Sequence, residues 1–314
     1  MCVKLSLAAR KKQKAALFKM HMKIMLCRIL RLKTLTIQNI ECLEIFPPSI
    51  RKLRWLEKLA VINTNISTLP EWIGELSSLT FLELSGNLLT ALPESIGNLK
   101  NLKEISLDCN RIQTLPDTFC SLTSLESFEI GERTDHPELA AILEPGACFT
   151  HLPESFGNLS SLKDCSLWCT KIRGLPESFG NLKSLEGLSL QRDMRDDFYF
   201  PPSMKNLQAL RHVSIAVSDQ FPDFIGELKN LISLDISHNK LMVLPDYIGE
   251  LVELQDLNLH STWITELPQW IVNLQKLENL DISFNDIIEN PAELLKKLPK
   301  LNFLSEEYNE YNKN

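Results

Sequence analysis

Leucine and isoleucine return in one arrangement along nearly the whole chain. Residues 92–114, LPESIGNLKNLKEISLDCNRIQT, carry it in full. Leu102, Ile105 and Leu107 follow the pattern L-x-x-L-x-L. The alternation at Ile105 and Leu107 predicts a short strand with one buried face. Ahead of it, Ile96, Leu99 and Leu102 recur every third residue, which predicts one side of a short helix or 3₁₀ turn. Pro93 suits the first turn of that segment, where a missing N–H costs little. Gly97 and Asn98 keep it short. Asn110 ends the strand at an inward-facing position, where a polar side chain needs backbone partners. Asn87, Asn239 and Asn285 fill that position in other copies, and Thr64, Thr170 and Thr262 fill it elsewhere.

The prolines in the Leu-Pro position of each copy give the period, with Phe or Asn in place of the Leu in some copies. They are Pro47, Pro70, Pro93, Pro116, Pro153, Pro176, Pro201, Pro222, Pro245, Pro268 and Pro291, separated by 23, 23, 23, 37, 23, 25, 21, 23, 23 and 23 residues. Such a beat marks a repeat array, whose core grows along one axis. Two places depart from it. Fourteen extra residues lie within 131–150, where HPELAAIL predicts a short helix over 135–145, stopped by EPG. Residues 191–203, QRDMRDDFYFPPS, lengthen one step by two and shorten the next. Insertions on such an array map to loops, which are often used for binding.

This pattern resembles the leucine-rich repeat family in its 23-residue form, from about Leu32 to Leu304. The nearest flavour is that of intracellular Ras-group repeat proteins, with similar repeats in bacterial effectors delivered into host cells. The resemblance implies an α/β solenoid. It would be a curved horseshoe with a parallel sheet on the concave face and short helices or 3₁₀ turns on the convex face. It also implies a protein-binding role, possible in signalling, although a fold alone does not prove one. The expected organisation is a basic segment with a degenerate capping half-repeat over 1–31, a repeat domain over 32–304 and a polar tail over 305–314.

Residues flanking the inward leucines point out of the sheet. Eight of them are acids and one, Lys58, is a base. Glu83, Glu104, Asp108, Glu129 and Asp164 fall on consecutive strands, and Asp235, Asp256 and Asp281 form a second group. The expected binding residues are these acids with Phe81, Trp168, Arg192, Phe198, Tyr199 and His260. The acids read either as a solvated face or as a negative trough that steers a basic surface into place. Trp168 would be its aromatic anchor, and Trp168, the 135–145 helix and the 192–199 loop would together make a composite patch.

Charge sharpens that picture. The net charge is −7, yet residues 1–40 hold ten Lys or Arg and no acid, which leaves 23 bases and 40 acids, a net of −17, for the remainder. The basic head does not have the layout of a secretory signal; a membrane-surface or organelle-targeting helix is compatible with it. No apolar run approaches the roughly 18 residues of a membrane span. The eight cysteines form no CxxC pair, which favours free thiols in a reducing compartment over zinc or disulfides. His212, His238 and His260 near Asp235 and Asp256 lack the spacing of a metal site. No phosphate loop or nucleophile motif is present. The expected protein is therefore a non-enzymatic scaffold or effector, cytoplasmic or delivered into a host cytoplasm. It would be monomeric, without cofactor or nucleic acid, and would bind a partner protein with a basic surface. The alternative is a regulatory fragment or subunit of an enzyme whose chemistry lies in another chain.

Overall fold

The computed structural model describes residues 2–6, 31–131, 149–192, 198–216 and 221–309. The chain divides into two compact units, Met1–Ile172 and Arg173–Asn314. In the first unit the strands are β1 (Cys2–Ser6), β2 (Thr34–Ile40), β3 (Lys58–Thr64), β4 (Phe81–Glu83), β5 (Glu104–Ser106), β6 (Ser127–Gly131) and β7 (Asp164–Thr170). Each pairs in parallel with the next. In the second unit β8 (Gly187–Arg192), β9 (His212–Ala216), β10 (Ser233–Asp235), β11 (Asp256–Asn258), β12 (Asn279–Asp281) and β13 (Phe303–Ser305) do the same.

The expected capping half-repeat, residues 17–31, lies outside the described residues except for Arg31, and so does the helix expected at 135–145. The strand β1 was not anticipated. Its register sets Val3 against Leu35 and Leu5 against Ile37, so V-x-L in the basic head repeats the two-residue alternation of the later strands. At the other end the packed structure continues into the stretch expected to be tail: Asn309 is fully buried.

Between strands the chain makes 3₁₀ turns, such as Glu71–Glu75, Glu94–Asn98 and Asp117–Ser121. Pro93 stands one place earlier than expected, extended at φ −71° and ψ 153°, outside the turn. Its carbonyl accepts from the Ile96 N–H at 3.0 Å, and the Ile96 carbonyl accepts from Leu99 N–H at 3.1 Å. Gly97 does more than shorten this segment. A Cβ there would lie 2.3 Å from the Thr118 carbonyl oxygen of the next turn, so the repeats can stack this closely only without a side chain. Ile96, Leu99, Leu102 and Leu107 are fully buried. In the first unit Phe119, Phe128 and Phe156 pack ring against ring at 5.2 and 5.8 Å between centroids.

The polar positions form the buried ladder the sequence implies. Asn285 donates through Nδ2 to the carbonyls of Leu259 at 2.8 Å and Ile282 at 2.9 Å, and its Oδ1 accepts from the Thr262 N–H at 2.9 Å. Asn87, Asn110 and Asn239 donate to the equivalent pair of carbonyls, one in the preceding repeat and one in their own. Asn309 donates to Ile282 and Glu306 in the same way. In eight repeats the residue just before the ladder position has a positive φ: Asn39, Asn63, Gly86, Cys109, His238, Ser261, Phe284 and Tyr308. That left-handed residue turns the chain sharply off the strand and lets the ladder side chain reach back inward.

Candidate protein-binding face

Two rows of outward residues run across each sheet, and the strand registers set them. In the first unit one row is Lys58, Phe81, Glu104, Ser127, Asp164, and the other is Ala60, Glu83, Ser106, Glu129, Ser166. The acids therefore alternate strand by strand: Glu83 on β4, Glu104 on β5, Glu129 on β6, Asp164 on β7. None faces another acid directly. Within a row two acids are separated by a serine strand, roughly 10 Å. Directly opposed like charges destabilise a sheet, and this arrangement places one carboxylate on each of four strands while avoiding them. Glu104, Glu129 and Asp164 are exposed and Glu83 is half-buried. Glu129 and Asp164 are themselves engaged in interactions of their own. Lys58 extends its ammonium over the Phe81 ring, 5.7 Å from the centre.

The second unit repeats the alternation. Its rows are Gly187, His212, Ser233, Asp256, Asn279, Phe303 and Ser189, Ser214, Asp235, Asn258, Asp281, Ser305. Asp235 and Asp281 share a row with Asn258 between them, and Asp256 lies in the other row on the intervening strand. Some of these carboxylates also serve the backbone. Glu83, Asp235 and Asp281 each accept from the N–H two residues on, at 3.0, 2.9 and 2.9 Å. Asn258 accepts from His260 N–H at 3.0 Å in the same manner. An amide thus does that work without charge, so the turn alone does not require the acids. Asp256 accepts from the Asn279 side-chain amide.

The third outward position of each strand is not open surface. Asp108 is 4% exposed, and Ser237 and Ser283 at the same position are also buried. The expectation that Asp108 belongs to the acidic face is corrected by this: the left-handed residue that follows, Cys109 at φ 52°, takes the chain off the flat sheet there. Trp168 is half-buried and pairs with Gly131 in the first unit. Phe198 and Tyr199 belong to the second unit. Tyr199 is 53% exposed, its hydroxyl donates to Glu177 at 2.7 Å, and its backbone bridges to Gly174. Phe198 packs on Phe200 at 4.6 Å. Arg192 ends β8, and its side chain lies outside the described residues. His260 is half-buried, with Nδ1 2.9 Å from the Ser283 hydroxyl.

Family models fit most of this array. Residues 143–242 match a leucine-rich repeat region, 229–287 a leucine rich repeat and 77–124 a model of two leucine rich repeat copies. The chain belongs to the leucine-rich repeat family. No curated protein sequence matches it. Among solved structures, the internalin InlF of Listeria monocytogenes is similar at 21% identity and a TM-score of 0.62, over 84% of this chain and 78% of that one. A TDR receptor is similar at 29% identity and 0.61, over 88% of this chain and 47% of the receptor. The TLR13 chain of a TLR13–ssRNA13 complex is similar at 20% identity and 0.69, over 92% and 45%. This chain therefore spans less than half the length of the two receptor chains.

Within the leucine-rich repeat sheet of the second unit, sequence reasoning missed one surface feature. His238, His260, Phe284 and Tyr308 form a run of rings along the strand exits, with centroids 5.2, 5.0 and 4.3 Å apart. Of these, His260 alone was expected as a binding residue. The others occupy the left-handed position, where a bulky residue is uncommon, and that mismatch between residue type and position was the available signal. No helix among the described residues is long and apolar enough to cross a membrane, and no three His, Cys, Asp or Glu side chains there gather to hold a metal ion.

Proposed function

We propose that this leucine-rich repeat chain binds a partner protein bearing a basic surface, through the outward face of its sheet. The observation that carries the reading is the alternation of Glu83, Glu104, Glu129 and Asp164 on four successive strands. It spreads negative charge evenly over a rigid surface at low internal cost, and such a field steers a cationic partner and raises the on-rate. The same alternation at Asp235, Asp256 and Asp281 supports it. The partner reading is also in keeping with the Drosophila Toll–Spatzle complex, a similar chain at 18% identity and a TM-score of 0.60. The TLR13 structure holds single-stranded RNA, which an acidic face repels. A scaffold or effector role in signalling, in a reducing cytoplasm, fits a binding face of this kind and the free thiols of Cys42, Cys120 and Cys165.

The test is retention by the immobilised full chain, compared between wild type and the double variant Glu83→Lys, Glu104→Lys. These two exposed or half-buried carboxylates can be reversed with the strands intact. A specific partner should be held by wild type, released as salt rises, and lost from the variant. A partner held equally by both, at low and high salt alike, would remove the acidic face from the binding mechanism.

A further inference from the structure

We infer that the strand-exit edge of the second unit is a docking strip for an extended, arginine-bearing segment of a partner protein; this rests on the reading that the chain binds a protein. The strip is the run His238, His260, Phe284 and Tyr308, about three strand spacings or roughly 14 Å long. Phe284 is 47% exposed and Tyr308 62%, and their rings stack 4.3 Å apart at 26°. Trp263, two residues past the left-handed Ser261, is 43% exposed.

Backbone geometry separates this strip from accidental exposure. His238, Phe284, Tyr308 and Trp263 all sit at φ between 55° and 64°. Folding at such positions favours glycine or asparagine, as at Gly86 and Asn63. Rings there strain the backbone and stay wet, so the fold gains little from them, whereas an occupant that covers them gains apolar burial.

Charge selects the occupant. Residues 233–309 hold thirteen acids against five lysines and no arginine, a net of −8. Asp235 and Asp281 end β10 and β12 three residues before His238 and Phe284, at most about 11 Å of chain away, within reach of a long cationic side chain whose planar head lies on a ring. The second unit already uses this chemistry: Lys240 Nζ lies 4.8 Å from the centre of the Trp263 ring. Arginine suits the strip better than lysine, because its flat guanidinium stacks on aromatic faces and pairs with carboxylates in a fork. A nucleic-acid strand could stack its bases on the rings, but its phosphates would face these carboxylates. An extended peptide presents alternate side chains on one face about 7 Å apart, so two or three arginines span the run.

The experiment uses the full chain and a fluorescein-labelled ten-residue peptide of alternating Arg and Ala, with Lys-for-Arg and Glu-for-Arg counterparts and a ten-nucleotide oligouridylate as controls. Binding is followed by anisotropy. The double variant Phe284→Asn, Tyr308→Asn removes both rings and suits a left-handed backbone, so its melting temperature should equal or exceed that of wild type. The Arg peptide should bind wild type tightest, and the ring variant should lose about tenfold or more in affinity. The loss caused by the ring variant should be the same in a Glu83→Lys, Glu104→Lys background as in wild type, which separates failure of the strip from failure of the acidic face. Equal binding by wild type and the folded ring variant would overturn the assignment, as would equal binding of Arg and Glu peptides or tighter binding of oligouridylate. Wild-type dimerisation that disappears in the ring variant would give the strip to a second copy and overturn it too.

Discussion

Leu107 and Gly97 define opposite failures of the same packing. Leu107 is fully buried, and Leu107→Ala should cost about 2–5 kcal/mol through the cavity it leaves; an unchanged denaturation midpoint would mean the register is wrong. Helix propensity alone makes Gly97→Ala stabilising by up to about 1 kcal/mol. The 2.3 Å approach to the Thr118 carbonyl oxygen reverses the sign, and overpacking should cost about 1–3 kcal/mol instead. Chemical denaturation of this variant decides between the two. The inward leucines were legible from spacing alone, because a two-residue alternation fixes which side chains face the core. The demand for glycine was not, since it comes from a neighbouring turn 21 residues away. Asp108 misled for a related reason: a pattern of alternation does not mark where the strand stops being flat.

The ladder and the turns show how far a repeat unit can be read from its residues. The ladder asparagines were predictable because an inward polar side chain must find backbone partners. Asn285→Asp tests that logic, since a carboxylate cannot donate to the Leu259 and Ile282 carbonyls. Each carbonyl keeps one other donor, Thr262 Oγ1 on Leu259 and Asn309 Nδ2 on Ile282, so the loss of the two amide hydrogen bonds should cost about 1–3 kcal/mol at neutral pH, measurable as a fall in the denaturation midpoint. The last rung, Asn309, was hidden by the polar composition of SEEYNEYNKN, and β1 by its basic surroundings. The alternation of the acids was not legible either. The sequence supplies one acid per strand, but only the pairing register assigns each to a row. On the edge between the turns and the strands, Glu126 accepts from both Lys103 and Lys163 at 2.7 Å, and these two hydrogen bonds, Lys103 first, hold its carboxyl down to about 2. A lowered folded value stabilises the protein above the ordinary value near 4.5, and that contribution is lost as pH falls toward 2. Glu126→Gln should therefore be less stable than wild type at pH 7, by a small margin because the pair is solvent-screened. The difference should shrink as pH falls through 2 and vanish below it. A gap that persists unchanged in acid would assign the effect to packing.

At the scale of the molecule, a basic head on an acidic body sets what the chain attracts, and burial sets which thiols can react. Burial pushes the Cys120 thiol up, with the Ser155 hydrogen bond opposing it, and pushes Cys165 up further, helped by the charge of Asp164. Neither should react with a thiol reagent at pH 8 until the protein is unfolded, as read by peptide mapping of the labelled positions. Early labelling of either in the folded chain would contradict the packing described around it. The central claim is that the alternating acids are a contact surface and not only a solvated face. Carbodiimide labelling of carboxylates in the complex with the salt-sensitive partner measures this most directly, because the turns carry exposed acids of their own, Glu71, Glu94 and Asp117. The account predicts that bound partner shields Glu83 and Glu104 while labelling at the three turn acids stays at its free level; shielding confined to the turn acids, with Glu83 and Glu104 labelled as in the free chain, would contradict it.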